Sequence, residues 1–515
     1  MDPLVFFFLV LSIITIIKWY LKRKEIFRTF EKLNIPGPKP SFWFGNILEM
    51  IKLDKQCELD WIKKYGSIYG YYFGVNPVLA VNDPELLKLI QVKEAQIFHK
   101  RNPYIPMSAV PNKLFGISNT INDGPIWKQT RDMITPSYTT SKLKMLTPTV
   151  NRTIEENWKE VREMIKNGET LEMREIYSIL LADMAFQTTL GVRVNNKQKI
   201  ARSLDYAFET NASNTINFIS ACFPEFGDFL YFIRTTTHKV KRFINVPSML
   251  AVVDLCKDAI SARLSLQKQE NYADVLQQMI NTIYIKNQAK PEKISKDSES
   301  KSDTYKKSLL TPINCLANSF YVAIATYDTI RNPMMFATYL IAKYPEVQDR
   351  IREEIFQFSN KDESIDYISL TKMKYLDQVF CETLRLYPPV PTFSNRIAEE
   401  DYKYKDILIP KGMTVYVPQW GLHRNPEYWS EPDEFKPERF DDKSKVDPYI
   451  YQPFGIGPRH CTGMRPAQLI GRLILANLVK NFKITLCPET KEIETDISLV
   501  IIHSKNPIYI KATPI

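Results

Sequence analysis

The feature that most constrains this chain is an apolar run from Leu4 to Leu21, interrupted only by Ser12, Thr15 and Lys18. Lipid offers no hydrogen-bond partners, so a segment inside it must satisfy its own backbone as a helix. About 20 apolar residues span a bilayer, and this run comes close. A secretory leader places basic residues before its apolar stretch and small residues after it. Here Asp2 precedes the run and Lys22-Arg23-Lys24 follows it. The positive-inside rule then leaves everything after Lys24 on the cytoplasmic side. Trp19 and Tyr20 suit the interface, and a buried core helix is the competing reading. Residues 1–24 are therefore expected to be a membrane anchor and 25–40 a basic linker. The linker ends in NIPGPKP, Asn34 to Pro40, where three prolines make a stiff, non-helical join. Residues 41–515 are left as a single folded body.

The chain is 44% apolar, enough over 515 residues to bury a large core. Its net charge of +10 is modest for that length. It suits an anionic membrane surface or an acidic protein partner better than nucleic acid. Residues 67–83 read as a β-hairpin turning at Val75-Asn76-Pro77. From Pro84 to Tyr387 the apolar spacing is mostly helical, with amphipathic stretches at Val150–Lys166 and Glu346–Phe358. Short strands return over 402–418, a helix covers Arg465–Lys480, and strands close the chain near Lys483–Leu486 and Pro507–Lys511. The pattern predicts a mainly α fold with small β-sheets (α+β). Lys286–Ser308, polar and lysine-rich, reads as a surface loop. The glycosylation sequons at Asn151 and Asn211 have no meaning in a reducing compartment.

The seven cysteines are odd in number, widely spaced and without a C-x-x-C, which argues against a disulfide framework or a structural zinc site. Most read as small buried hydrophobes. Cys461 differs, because it lies in FGIGPRHCTG, a glycine-rich loop from Phe454 to Gly463. A lone thiolate suffices for a metal only where something else fills the other positions. A porphyrin supplies four nitrogens, so the loop points to haem. His460 is the neighbouring rival, but adjacent side chains rarely aim at one iron. Gly457 and Gly463 are expected to adopt backbone conformations closed to other residues and let the chain approach a flat ring. Loop N–H groups can donate to the sulfur, and Arg459 can meet a porphyrin carboxylate. A helix beginning after Gly463 would turn its positive end toward the thiolate. Trp127 and Arg131, four apart, could reach porphyrin carboxylates. Glu382 and Arg385 share a helix face, and with Arg439 they would form a buried cluster holding the loop that leads to Cys461.

Phe454, Gly457, Arg459, Cys461 and Gly463 stand as F-x-x-G-x-R-x-C-x-G. Upstream, in order, come WKQTR with Trp127 and Arg131, IATYDTI with Asp328 and Thr329, CETLRLYPP with Glu382 and Arg385, and PERF with Arg439. On these motifs the chain resembles the cytochrome P-450 haem-thiolate monooxygenases along essentially its whole length. It looks most like the microsomal group that includes the vertebrate family-three drug and steroid oxidisers. The resemblance implies the P-450 fold, haem b (iron protoporphyrin IX) and Cys461 as axial iron ligand. It implies propionate contacts for Trp127, Arg131 and Arg396, and oxygen activation by Asp328 and Thr329. It also implies a single-pass protein of the endoplasmic reticulum membrane with a cytoplasmic catalytic domain. No complete G-x-G-x-x-G is present, so electrons would come from a separate NADPH-dependent flavoprotein reductase. A b-type cytochrome is a second candidate donor.

The chain departs from the family's pattern on the catalytic helix, placed over Pro312–Lys343. Ala325-Thr326 replaces Ala-Gly, and Ile330 stands where Thr or Ser is usual. Pro333 takes an N–H from the carbonyl of Thr329, so the helix is expected to kink or widen there, with Thr326 bonding back to Val322. Pro466, in the first turn of its helix, is expected to be harmless. Asn217–Pro247 carries six phenylalanines and suggests a membrane-dipping, lipophilic entrance. Arg101–Asn119 resembles, by position, the loop over the haem that helps set substrate choice. The function implied is oxygen insertion from O2 into lipophilic substrates. The alternatives are a peroxide isomerase or dehydratase of the same fold, and a non-catalytic haem-binding membrane protein.

Overall fold

The structure is a computed structural model. It describes the chain except for residues 1, 103–113, 115–117, 120–121, 213–214, 244–248, 267–272, 286–308, 361–362, 393 and 499. The lysine-rich segment and most of the loop beginning at Arg101 therefore lie outside the described residues. The apolar run forms helix α1 (Pro3–Ile26), capped where Asp2 accepts from the Leu4 N–H at 2.9 Å. It is long and apolar enough to cross a membrane, and none of its apolar window is buried.

Helix α1 runs past Lys24 because Arg23 is built into the body. Arg23 is only 2% exposed. It donates to the carbonyls of Phe42 at 2.7 Å, Trp43 at 2.5 Å and Cys222 at 2.8 Å. Its guanidinium carbon lies 5.3 Å from the Trp19 ring, 5.5 Å from Phe27, 5.6 Å from Phe42 and 5.1 Å from Phe223. Trp19 adds a 2.9 Å hydrogen bond to Glu225. A residue read from sequence as a topology signal is thus also a structural pin between α1 and the body.

The remaining helices that matter for the site are α2 (Gly124–Ile134), α3 (Thr140–Lys166), α4 (Met173–Leu190), α5 (Lys197–Ala212), α6 (Thr215–Cys222), α7 (Gly227–Phe243), α8 (Pro312–Lys343), α9 (Lys374–Leu386) and α10 (Met464–Asn481). The strands are β1 (Ile68–Phe73), β2 (Asn76–Val81), β3 (Leu171–Glu172), β4 (Asn395–Ile397), β5 (Tyr402–Tyr404), β6 (Ile407–Ile409), β7 (Thr414–Tyr416), β8 (Phe482–Leu486), β9 (Thr495–Ser498), β10 (Ile501–Ser504) and β11 (Tyr509–Pro514). They form a β1-β2-β7-β4 sheet, a β3-β11-β8 sheet and two hairpins, β5-β6 and β9-β10. The predicted hairpin is present, but its turn is Gly74-Val75, because Asn76 and Pro77 already pair with Phe73 and Tyr72. Gly74 has φ +63°, and a Cβ there would lie 2.0 Å from the Ala221 carbonyl oxygen on α6. Pro77 is tolerated in β2 because β7 pairs only with Val78–Ala80.

Helix α8 is the axis of the core. Its sequence is apolar almost all round, the pattern of a fully packed helix. Every residue from Ile330 to Ala342 is buried. Pro312 occupies its first turn, and Asn314 Oδ1 accepts from the Thr311 N–H at 2.9 Å. Tyr177 and Phe186 of α4, Phe320, Tyr327 and Met334 of α8, and Leu473 of α10 belong to one buried cluster. The expected widening at Thr329 does not occur. Helix α8 is continuous through Pro333, and the helical turns that do widen lie elsewhere, at Leu89–Lys93 and Asn281–Ile285. Burial on all sides offsets a proline cost of about 3 kcal/mol. The back-bond expected of Thr326 is present, from Oγ1 to the Val322 carbonyl at 2.8 Å. Pro466 sits in the first turn of α10 without interrupting it. Asn151 is buried and donates to the Ile365 carbonyl at 2.7 Å, which leaves no room for a glycan.

The packing of Arg23 leads to a stability prediction. Arg23→Ala in the full chain is expected to cost about 2–3 kcal/mol, since bonds from a charged donor to buried carbonyls are lost. Denaturant unfolding measures it, and an unchanged midpoint would refute the role of Arg23 as a pin. Deleting residues 2–18, which spares Trp19, Tyr20 and Arg23, is expected to leave that midpoint nearly unmoved.

Candidate active site

The loop from Phe454 to Gly463 folds back on itself before α10. The Cys461 N–H donates to the Phe454 carbonyl at 2.8 Å, and the His460 N–H to that of Gly457 at 3.0 Å. Gly455 and Gly457 take φ of +64° and +71°. A Cβ on Gly457 would sit 1.8 Å from the Gln91 carbonyl oxygen, so only glycine fits. Gly463 is different from what its pattern suggests. As the residue before α10 it has φ −85°, which any residue adopts. A Cβ there would stand 3.9 Å from the Cys461 sulfur, an ordinary contact.

Cys461 alone among the seven cysteines is accessible. Burial nevertheless pushes its thiol up, so the exposure is to an internal cleft. The Gly463 N–H and the charges of Arg101 and Arg131 pull it back down. The ring of His460 is engaged by the Gly457 carbonyl at 2.8 Å and by Arg131 at 3.1 Å. Arg131 of α2 also donates to the His460 carbonyl at 2.9 Å and to Thr462 at 3.3 Å.

A group of buried guanidiniums lines the same region. Arg396 on β4 and Arg459 are both 4% exposed. Burial, then Arg101 and Arg459, hold Arg396 well below the ordinary arginine range. Burial and Arg101 push Arg459 down to about 9, with some relief from Asp123. Arg101 donates to the Arg459 carbonyl at 2.7 Å and also feels Tyr321 and Cys461. The Trp127 ring covers Arg459 at 4.0 Å and lies 6.0 Å from Arg131. Arg459 gives Nη1 to the Asn122 carbonyl at 2.8 Å, but its Nε and Nη2 reach no described acceptor. Gathered cations with unspent buried donors require an anionic guest. Haem b, with a flat ring, an iron and propionates on one edge, fits this donor set and the single accessible thiol. Arg101 entered the sequence reading only as the start of a loop; a lone arginine ahead of a proline-rich stretch is a weak signal.

On α8 from Phe320 onward, Tyr321, Val322, Ala325, Thr326 and Thr329 are the half-open residues, and their spacing places them on one face. Thr329 Oγ1 donates to the Ala325 carbonyl at 2.5 Å. Asp328 does not share that face. It is fully buried, with Oδ1 held by Arg331 at 2.5 Å and by Asn332 at 3.1 Å.

Glu382, Arg385 and Arg439 do come together. Arg385 is bidentate on Glu382 at 2.7 and 2.8 Å, both side chains fully buried, and Arg439 Nε adds 3.3 Å. Arg385 also donates to the carbonyls of His423 at 2.9 Å, Pro432 at 2.7 Å and Glu434 at 3.1 Å. The link onward to the cysteine loop runs through His423, which sequence reasoning missed. Its Nε2 accepts from the Gln452 N–H at 3.0 Å, and Nδ1 lies 3.2 Å from the Arg385 carbonyl. Nε2 is therefore unprotonated and Nδ1 carries the hydrogen. Gln452 precedes Phe454 by two positions, and Phe454 packs against the main core.

A family model described as Cytochrome P450 matches residues 35–512 of the chain. Cytochrome P450 3A18 of Rattus norvegicus is 34% identical over 94% of the chain and 92% of its own length. Cytochrome P450 3A6 of Oryctolagus cuniculus is 31% identical with the same coverage. The lithocholate 6-beta-hydroxylase of Mesocricetus auratus is 32% identical over 98% of the chain and 95% of its own length.

Burial and the charges of Arg385 and Arg424 push His423 down to about 3. The folded value lies below the unfolded one, so this neutral imidazole stabilises above pH ~6.5 and its contribution is lost as pH falls toward 3. Going from pH 7 to pH 5 is expected to remove about 2 kcal/mol through this group. His423→Gln is expected to be less stable at neutral pH but to show a flatter acid profile. Denaturant unfolding at both pH values gives the slope, and equal slopes in the two proteins would refute the assignment.

Proposed function

The chain belongs to the cytochrome P450 family, with its fold and its haem cofactor, and we propose that it is a membrane-anchored monooxygenase acting on lipophilic substrates. The observation that carries this is the lone accessible thiol of Cys461, in a cleft edged by buried guanidiniums. Haem, held there, supplies dioxygen binding and oxygen transfer, a chemistry no side chain provides. Cys461 would hold its iron through the thiolate. The Phe454 carbonyl and the two positive-φ glycines fix its backbone, and the Gly463 N–H donates toward its sulfur. Arg396 and Arg459 take the propionates, joined by Arg101 and Arg131, with Trp127 stacked on Arg459. Glu382, Arg385 and Arg439 hold the approach to the loop, through His423 and Gln452.

Thr329 and Asp328 handle protons. In the present rotamer Thr329 gives its hydrogen to the Ala325 carbonyl. Its lone pairs are then free to orient a water in the cleft, and a rotation about χ1 frees its O–H to donate. Asp328, clamped by Arg331, is the acid behind it. Electrons come from a separate NADPH-dependent flavoprotein reductase, with a b-type cytochrome as a second donor. Helix α1 anchors the chain in the endoplasmic reticulum membrane, in a single pass. Phe226, Phe229 and Phe232 are exposed beside it, 56%, 63% and 66% respectively, and form a second lipid contact. The hamster relative named for lithocholate makes steroids the first substrate class to test.

Turnover with purified reductase, NADPH and a steroid-rich lipophilic panel tests the function; absence of NADPH-dependent product, or rearrangement of added peroxide without NADPH, would overturn it. Cys461→Ser is expected to abolish the red-shifted absorption of the reduced carbon monoxide complex, because an oxygen ligand lacks the thiolate's electron donation. Thr329→Ala is expected to keep that spectrum and cut product formed per NADPH consumed by roughly 10²-fold, diverting electrons to peroxide. An unchanged ratio would remove Thr329 from the proton path.

A further inference from the structure

We propose that His503 on β10 is a positioning residue that supplies protons to Asp328, an inference resting on the reading of Asp328 and Thr329 as the proton path. While Oδ1 of Asp328 is taken by Arg331 and Asn332, Oδ2 accepts no hydrogen bond from any described atom. A fully buried carboxylate oxygen without a donor is costly and calls for a partner. Facing it is His503 Nε2, 3.7 Å from that oxygen. The gap exceeds a hydrogen bond, and a rotation of the carboxylate or a small shift of β10 closes it. The His503 side chain retains 11% of its exposure where that of Asp328 retains none, so the imidazole is the accessible member of the pair.

The charged and titratable groups facing Asp328 among the described residues are few. On α8 they are Arg331 and Tyr327, with Asn332 neutral; from α5 comes Asp205, bonded to Arg331 and to the Tyr327 hydroxyl; from β10 comes His503. Burial opposes the charge on Arg331, but Asp328, Tyr327 and Asp205 together raise it above its ordinary value, so it is a fixed clamp. Burial pushes the Tyr327 hydroxyl up, out of range as a donor. His503 is left as the group able to exchange a proton with this oxygen. The step is a plain transfer. The Nε2–H bond of the imidazolium breaks and leaves its electron pair on nitrogen, and an Oδ2 lone pair takes the proton. Water then reprotonates the imidazole. No electron moves, and the neutralised Asp328 loosens from Arg331 and can hand its proton on toward Thr329.

The test uses the full chain in lipid nanodiscs with reductase. Product per NADPH is measured across the pH range in which an imidazole titrates, for the wild type, His503→Gln and Asp328→Asn. His503→Gln is expected to keep the carbon monoxide spectrum and to lose roughly 3- to 10-fold in that ratio, less than the loss of a directly acting acid. It is also expected to lose the falling limb at high pH. A uniform loss with the limb retained would mean mere structural support and overturn the proposal. An unchanged His503→Gln beside an impaired Asp328→Asn would overturn it while leaving the proton path standing. No effect in either would sink the proton path itself. A readout independent of turnover is histidine-selective nuclear magnetic resonance, tractable with five histidines in the chain. One imidazole in the wild type should stay protonated to higher pH than in Asp328→Asn, since a facing carboxylate favours the charged ring. Identical titrations of all five would overturn the proposal, whether or not His503→Gln folds.

Discussion

The buried pairing of Glu382 with Arg385 is the interaction on which the site depends. Removing two charges from water costs several kcal/mol per ion, and one contact between them rarely returns it. Here the guanidinium spends its other donors on three carbonyls of the segment from His423 to Glu434. The carboxylate also takes the Lys436 N–H at 3.0 Å and Arg439. The pair therefore fixes register. It fastens α9, on one side of the core, to a stretch with little regular structure that carries the chain to Cys461. His423 completes the transfer by accepting from Gln452. A thiolate ligand must be held to within a fraction of an ångström, and this staple lets an irregular loop do so.

The second constraint is a gathering of like charges. Arg101, Arg396 and Arg459 crowd one another in a dry setting, and each is depressed by burial. Such a site is unstable on its own terms and stable with an anion in it. Folding and cofactor binding are then coupled by linkage, since a ligand that binds only the folded state stabilises it. Helix α2 reaches across this region, with Trp127 over Arg459 and Arg131 against the cysteine loop, so one element touches both the guanidinium cluster and the loop of Cys461.

Two elements show how far single-sequence reasoning carries. The N-terminal helix was legible because a long apolar run ahead of a basic cluster has few folds open to it, and an apolar helix is what forms. Arg23 within that cluster was not legible, because its partners Phe42, Trp43 and Cys222 are named only by the fold; Cys222 lies 199 positions away. Helix α8 was placed over its full span, yet the widening expected at Thr329 is absent and the helix runs on through Pro333. Every residue from Ile330 to Ala342 is buried, and that packing holds the helix against the local propensity of proline.

The sequence by itself determined the long apolar N-terminal helix, the mainly helical body, the cysteine loop and the family, since each is written in contiguous residues whose spacing alone carries the pattern. Gly457 could be named from the motif, although its reason, the Gln91 carbonyl 1.8 Å from where a Cβ would stand, could not. Only the tertiary structure decided that Gly463 needs no special backbone angle and that Arg101 joins the cationic edge. It alone showed that Asp328 turns away from the face of Thr329 toward Arg331 and His503. These facts depend on contacts between distant segments, and their energies come from burial and from electrostatics at short range. Neither can be summed until the chain has chosen its neighbours.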